Sequence, residues 1–210
     1  MSVTVTRWWW IRHAPVIDDG GCFYGQADLE ADTGDMAAHR ALAEALPPDA
    51  VWVSSHLRRA RQTAAAIGEA GYPLPEVQTH RDLAEQHFGD WQGTPRQPAY
   101  EKYGGFHGFW MSVLDNAPPN GESFADLRRR VGAAVGRLSA GHRGRDIVAV
   151  AHGGTIRAAL VGALDLPSPM ALSLTIGNSS LTQIDLVEEP GRRARWMLNL
   201  LNGHGVAGLR

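Results

Sequence analysis

Trp8-Trp9-Trp10-Ile11-Arg12-His13 is the stretch on which the reading of this chain turns. From Val3 to Ile11 nearly every residue is β-branched or aromatic, and from Trp8 to Ile11 the apolar run does not alternate. A strand with one wet face alternates apolar and polar side chains, whereas an unbroken run is expected where helices cover both faces. The stretch therefore predicts a central strand of a parallel sheet. Arg12 and His13 follow at its carboxyl end, where open α/β sheets bind ligands.

Working outward, the Gly- and Asp-rich segment Asp18 to Asp32 reads as a loop, and Gly34 to Leu46 as a helix stopped by Pro47-Pro48. Ala50 to Ser54 reads as a short strand. Ser55 is expected to cap a helix whose Leu57, Ala60, Ala64 and Ile67 share one face, ended by Gly71 and Pro73. A strand near Glu76 to His80 leads to the Gly-punctuated segment Leu83 to Gly93. The tract Gln97 to Leu114 holds Tyr100, Tyr103, Phe106, Phe109 and Trp110 and is expected to be a helical cover over a pocket, at about residues 95–120. After the turn Pro118-Pro119-Asn120-Gly121, Ser123 opens a helix running to about Ala140.

Ile147 to Ala151 reads as another buried strand, and Gly153-Gly154 open a helix with Ile156, Ala159, Leu160 and Ala163 toward the sheet. Two more strands are expected near Leu172 to Leu186 and Trp196 to Leu200. Alternating strands and helices predict an α/β fold, a mostly parallel central sheet with helices on both faces. Residues 1–210 show no repeat or linker and are read as a single domain.

Composition narrows the function. Hydrophobic residues make up 44 % and charged residues 20 % of the 210, enough apolar surface for an ordinary buried core. Lys plus Arg is 20 against 22 Asp plus Glu, a net charge of −2, so there is no basic footprint for nucleic acid. Anion binding, if present, is local. The one cysteine, Cys22, cannot form an internal disulfide and reads as a loop thiol in a reducing compartment. Arg7 and Arg12 bracket the only greasy run of the opening segment, which argues against export and for a cytoplasmic location. No stretch reaches the ~20 apolar residues of a membrane span. No Cys/His cluster has zinc-ligand spacing, so no metal and no cofactor are expected. A homodimer is admitted by the sequence but specified by nothing in it.

Charged or titratable residues follow three predicted strands: Arg12-His13, the turn Ser54 to Arg61, and Ala151-His152-Gly153-Gly154. Parallel strands bring their carboxyl ends to one edge, so these groups converge although far apart in sequence. Guanidinium groups match phosphoryl oxygens in bidentate fashion and neutralise their charge. A neutral imidazole can accept the phosphoryl group covalently. Each residue also has a plainer reading: helical arginines such as Arg59 usually sit on a solvated face, Glu85 alone is a surface carboxylate, and Glu122 suits first-turn helix electrostatics. His39, His80, His87, His107, His142 and His204 have no ligand spacing. The tryptophan run reads as core, and the aromatics from Tyr100 to Trp110 as lid core or as contacts to the organic part of a substrate.

The blocks themselves resemble the histidine phosphatase (phosphoglycerate mutase-like) superfamily. Arg12-His13-Ala14 is similar to its Arg-His-Gly, and Ser54-Ser55-His56-Leu57-Arg58-Arg59-Ala60-Arg61-Gln62-Thr63-Ala64 to its Ser-Ser-Pro-Leu-x-Arg-Ala-x-Gln-Thr-Ala. Leu83 to Gly93 resembles the Leu-x-Glu-x-x-x-Gly-x-Trp-Glu-Gly block, Asn120 to Ser123 the Gly-Gly-Glu-Ser turn, and Val150 to Gly154 the strand bearing a second histidine. The order is kept across residues 8–157. The resemblance implies a three-layer α/β/α sandwich and a metal-independent phosphatase acting on a small-molecule phosphomonoester. His13 would be the phosphate acceptor, Glu85 the proton donor, His152 the second histidine, and Arg12, Arg59 and Gly153 the phosphate contacts. Ala14 departs from the glycine, and its Cβ is a threat to the carbonyl that fixes the histidine tautomer. His56 and Gln92 replace a proline and a glutamate, changes expected to shape the loop rather than the reaction.

Two rivals follow from the same residues. A mutase would return the phosphate to another hydroxyl, but the short spacing from Glu85 to Glu122 favours hydrolysis. A phospholigand-binding protein weakened in catalysis is the reading that Ala14 admits. The loop Gly20-Gly21-Cys22-Phe23-Tyr24-Gly25-Gln26-Ala27-Asp28 also resembles the loop of α-ribazole phosphatases, which act in cobalamin assembly, and names α-ribazole 5′-phosphate as one candidate substrate.

Overall fold

The computed structural model describes residues 2–204, so Met1 and residues 205–210 of the expected domain lie outside the described residues. The tryptophan run forms strand β1 (Thr4–Arg12). Trp8 and Trp10 enter one core while Trp9 and Ile11 enter the other, none more than 5 % exposed. Both faces are buried, so the run has no reason to alternate. The indole N–H groups of Trp8 and Trp9 are paired in the interior, with Ser139 Oγ at 3.0 Å and Asp146 Oδ1 at 2.9 Å.

In chain order there follow α1 (Met36–Ala45), β2 (Val51–Ser55), α2 (Arg58–Glu69) and β3 (Val77–His80), then 3₁₀ turns at Arg81–Leu83 and Gly89–Trp91. Helices α3 (Arg96–Lys102), α4 (Phe106–Ser112) and α5 (Phe124–Gly141) lead to β4 (Asp146–Ala151) and α6 (Gly153–Ala163). A 3₁₀ stretch at Ser168–Ser173 precedes β5 (Leu181–Glu188) and β6 (Arg195–Gly203). One sheet has the order β3-β2-β4-β1-β5-β6, with β1 to β4 parallel and β5 and β6 antiparallel at one edge.

Leu127 and Val131 of α5 and Ile156 and Leu160 of α6 pack with Trp8 and Trp10 on one face. Leu42 of α1 and Ala60, Ala64 and Ile67 of α2 pack with Trp9 and Ile11 on the other. The result is a three-layer α/β/α sandwich around a mostly parallel sheet.

Two local expectations are corrected. Ser55 does not cap α2: it pairs with His80 as the last residue of β2, Leu57 precedes the helix, and Ser55 Oγ instead accepts the Leu57 N–H at 3.2 Å. The strand expected from Leu172 begins only at Leu181, opposite Ile11. Pro167 and Pro169, without amide hydrogens for a ladder, start a 3₁₀ turn, and Ser179 at φ 53° reverses the chain before the strand can begin. The expected cover is two helices, divided at Gly104 and Gly105, whose φ of 75° and 106° side chains resist.

Candidate active site

The register of β1 on β4 sets Arg12 opposite Ala151, and His13 N–H donates to Ala151 O at 3.0 Å. His13 and His152 therefore leave the sheet side by side, ring centroids 5.1 Å apart at 57°. Both are buried, at 1 % and 0 % exposure.

His13 Nδ1 lies 2.6 Å from Ala14 O. A carbonyl oxygen only accepts, so in the neutral ring Nδ1 bears the proton and Nε2 keeps its lone pair. Arg59 Nε approaches that lone pair at 3.3 Å. Ala14, in place of the family's glycine, leaves this contact intact. Its own N–H donates to Thr63 Oγ1 at 2.8 Å, and Thr63 Oγ1 donates to Arg59 O at 2.7 Å.

Burial, then the charges of Arg59 and Arg12, hold the His13 imidazole well below its usual pKa, against a smaller raising effect of the Ala14 carbonyl. His152 is lowered in the same way, by burial first and then by Arg59, His13, Arg12 and His56. Neither of its ring nitrogens has a hydrogen-bond partner among the described residues. Two neutral imidazoles thus lie next to two guanidiniums.

Of the three arginines in the second block only Arg59 is inside; Arg58 and Arg61 are exposed. Arg59 reaches Gly25 O at 2.6 Å through Nη2 and Ala27 O at 2.8 Å through Nη1, and lies over the Tyr24 ring at 5.0 Å. Desolvation lowers its pKa, offset in part by the charge of Glu85. Arg12 holds Ile176 O at 2.6 Å through Nη1 and leaves its buried Nε unpaired.

Glu85 comes from the loop after β3. Its Oε1 accepts from Gln86 N at 2.9 Å and its Oε2 from Gly154 N at 3.1 Å, in the first turn of α6. A Cβ at Gly154 would strike the Glu85 carboxylate. Glu122 is not simply first-turn electrostatics. It pairs with Arg130 at 2.5 Å and accepts from His87 N at 2.9 Å, and Arg130 also donates to Glu85 O at 3.3 Å. Gln92 Oε1 accepts from Gln26 N at 2.8 Å, and Gln26 Nε2 donates to Glu85 O at 2.8 Å, so the loop from Gly20 to Asp28 is tied to the backbone of Glu85.

Sequence reasoning missed two residues. Asn178, which the sequence gives no role, donates from Nδ2 to His13 O at 2.9 Å. Arg157 projects from α6 beside Glu85; its Nε holds Leu174 O at 2.9 Å, and burial lowers its pKa. The signal for Arg157 was a lone arginine in the otherwise small and apolar segment Gly153 to Ala163.

Arg12, Glu85, Gly153, Gly154 and Arg157 line a cavity of about 220 Å³ together with Phe106 and Trp110 of α4. His13, Arg59 and His152 do not line it and are buried. Among the described residues no group of three or more His, Cys, Asp or Glu could hold a metal ion, and no helix is long and apolar enough to cross a membrane.

These elements define a class: an α/β protein with two imidazoles, two guanidiniums and a carboxylate gathered at the carboxyl edge of its sheet. The chain matches the histidine phosphatase superfamily (branch 1) over residues 8–199 and belongs to that family. It is 34 % identical over 199 residues to the glucosyl-3-phosphoglycerate phosphatase of Mycobacterium tuberculosis, covering 87 % of each chain. A solved mycobacterial glucosyl-3-phosphoglycerate phosphatase with inorganic phosphate has a TM-score of 0.77 at 32 % identity, over 95 % of this chain and 98 % of that one. The α-ribazole phosphatase of Shigella flexneri has a TM-score of 0.76 at 23 % identity, over 97 % of this chain and 99 % of that one, a likeness of fold.

Proposed function

We propose that this chain is a phosphomonoesterase that works through a phosphohistidine on His13. The observation that carries the reading is the fixed tautomer of His13, with Nδ1 on Ala14 O and Nε2 beside Arg59, within 5.1 Å of a second neutral imidazole. In the first step Nε2 attacks phosphorus in line, the ester P–O bond breaks, and Glu85 gives its proton to the departing alcohol. Arg12, Arg59, His152 and the start of α6 at Gly153 hold the phosphoryl oxygens. In the second step the Glu85 carboxylate takes a proton from water, the water oxygen bonds to phosphorus as the P–N bond breaks, and phosphate leaves with His13 neutral again.

Hydrolysis rather than mutase chemistry is supported by the phosphatase names of the relatives and by the short span from Glu85 to Glu122. The intact Ala14 contact speaks against a merely ligand-binding protein. All the described elements act as one domain, with α3 and α4 as the cover. The single cysteine favours the cytoplasm.

Phosphomonoesters, among them α-ribazole 5′-phosphate, glucosyl-3-phosphoglycerate and 3-phosphoglycerate with and without a bisphosphate primer, test the reading with wild type and His13→Ala in the presence of chelator. Phosphate release by wild type alone, unaffected by chelator, is expected. Release that the variant retains and chelator abolishes contradicts it, and primer-dependent isomerisation marks a mutase.

A further inference from the structure

The lining of the cavity includes Phe23, Phe88, Phe106, Trp110, Val113 and Leu172. Phe106 is 61 % exposed although it is a large aromatic, and Trp110 meets it edge-on at 6.0 Å and Phe88 edge-on at 5.8 Å. An aromatic shelf thus stands open in a concave site. Large apolar side chains left uncovered in a pocket mark where a ligand completes the packing.

Two polar side chains of this lining are engaged, whereas the Trp110 indole N–H is buried without a hydrogen-bond partner among the described residues. Arg96 forms a two-pronged pair with Asp19 at 2.7 and 3.0 Å and also donates to Cys22 O at 2.6 Å. Gln86 spends Nε2 on Glu122 O at 2.9 Å. A sugar brought into this space would lose water from several hydroxyls with few partners in return, which is unfavourable. A flat ring needs only a face to stack on, and rings prefer the offset or edge-on contacts that Phe88, Trp110 and Phe106 offer.

Given the phosphatase reading above, we infer that the alcohol part of the substrate is a flat apolar ring system, aryl or heteroaryl, seated against Phe106 and Trp110. Phosphates of polyhydroxylated sugars are poor substrates. This separates the chain from its mycobacterial relative, whose name carries a glucosyl group.

The test compares 1-naphthylmethyl phosphate with glucose 6-phosphate, both esters of a primary alcohol, so that the shape of the alcohol and not its acidity is varied. Wild type is expected to favour the naphthylmethyl ester by roughly tenfold or more in kcat/KM, the range that one stacked ring supplies. Phe106→Ala, at a position 61 % exposed, is expected to lower this ratio severalfold through the KM of the naphthylmethyl ester. Trp110→Ala should do the same. A wild-type ratio at or below one, or a ratio unchanged in both variants, overturns the aryl preference and leaves the phosphatase standing. Hydrolysis of neither ester overturns both readings.

Discussion

A neutral imidazole attacks through one nitrogen when its other nitrogen is held by its proton, and Ala14 O holds Nδ1 of His13 at 2.6 Å. Asn178 in turn holds the His13 carbonyl, so His13 is fixed at its ring and at its backbone. The carboxylate is placed as closely, against the amide of Gly154, where there is no room for a methyl group. Gly154→Ala should therefore move Glu85 and lower kcat by about tenfold or more, while a helical alanine costs the fold little. Steady-state kinetics beside a melting curve checks this; an unchanged kcat contradicts the placement of Glu85. His13, Glu85 and His152 were legible in the sequence because each belongs to a block with its own order and because parallel strands share an edge. Asn178 was not, since a side chain that supports a backbone carbonyl leaves no local pattern until its partner is in place, and Arg157 left only the mark of a lone arginine in a small and apolar segment.

Helix α5 supports the loop that carries Glu85, and its start is defined by reciprocal bonds: Ser123 Oγ accepts from Asp126 N at 3.1 Å and Asp126 Oδ2 accepts from Ser123 N at 3.1 Å. Ser123→Ala should remove about 1 kcal/mol, which lowers Tm by roughly 2–4 °C in a chain of this size; no change would mean that the cap is idle. Two turns further on, Arg130 binds Glu122 and donates to Asp82 O, Ala84 O and Glu85 O. Arg130→Met should destabilise by roughly 2 kcal/mol, less than a fully buried pair because both side chains are in part exposed. It should also lower kcat, since the segment carrying Glu85 loses its tether. Urea melts and kinetics on the same preparation separate the two effects. A serine before an apolar helical run is a local signal: at Ser55 it failed because that residue is held in β2, but Ser123 could be read from it as the start of α5. The late start of β5 could not, because apolar residues from Leu172 onward suit a strand or a packed turn equally, and only the prolines and the pairing partner decide.

Across the molecule, His13, His39, His56, His80 and His152 are all held below the usual imidazole pKa, with burial the first cause in each. The unfolded chain takes up protons on them from about pH 6.5 downward, while the folded chain refuses them. Stability is therefore complete above that pH and declines as the pH falls through it. The urea midpoint should drop between about pH 7.5 and about pH 5.5; a level or rising midpoint contradicts the burial of neutral histidines. The layer order was legible at this scale because the unbroken run Trp8 to Ile11 requires cover on both faces, which only flanking helices supply. The shape of the cavity was not, since it depends on how α3 and α4 settle over the sheet. The central claim, that His13 accepts the phosphoryl group, is met most directly by quenching wild type in alkali during turnover and mapping phosphate by mass spectrometry. The account predicts phosphate on the peptide containing His13 and none in His13→Ala; turnover with phosphate on another residue, or on none when hydrolysis of the intermediate is limiting, would contradict it.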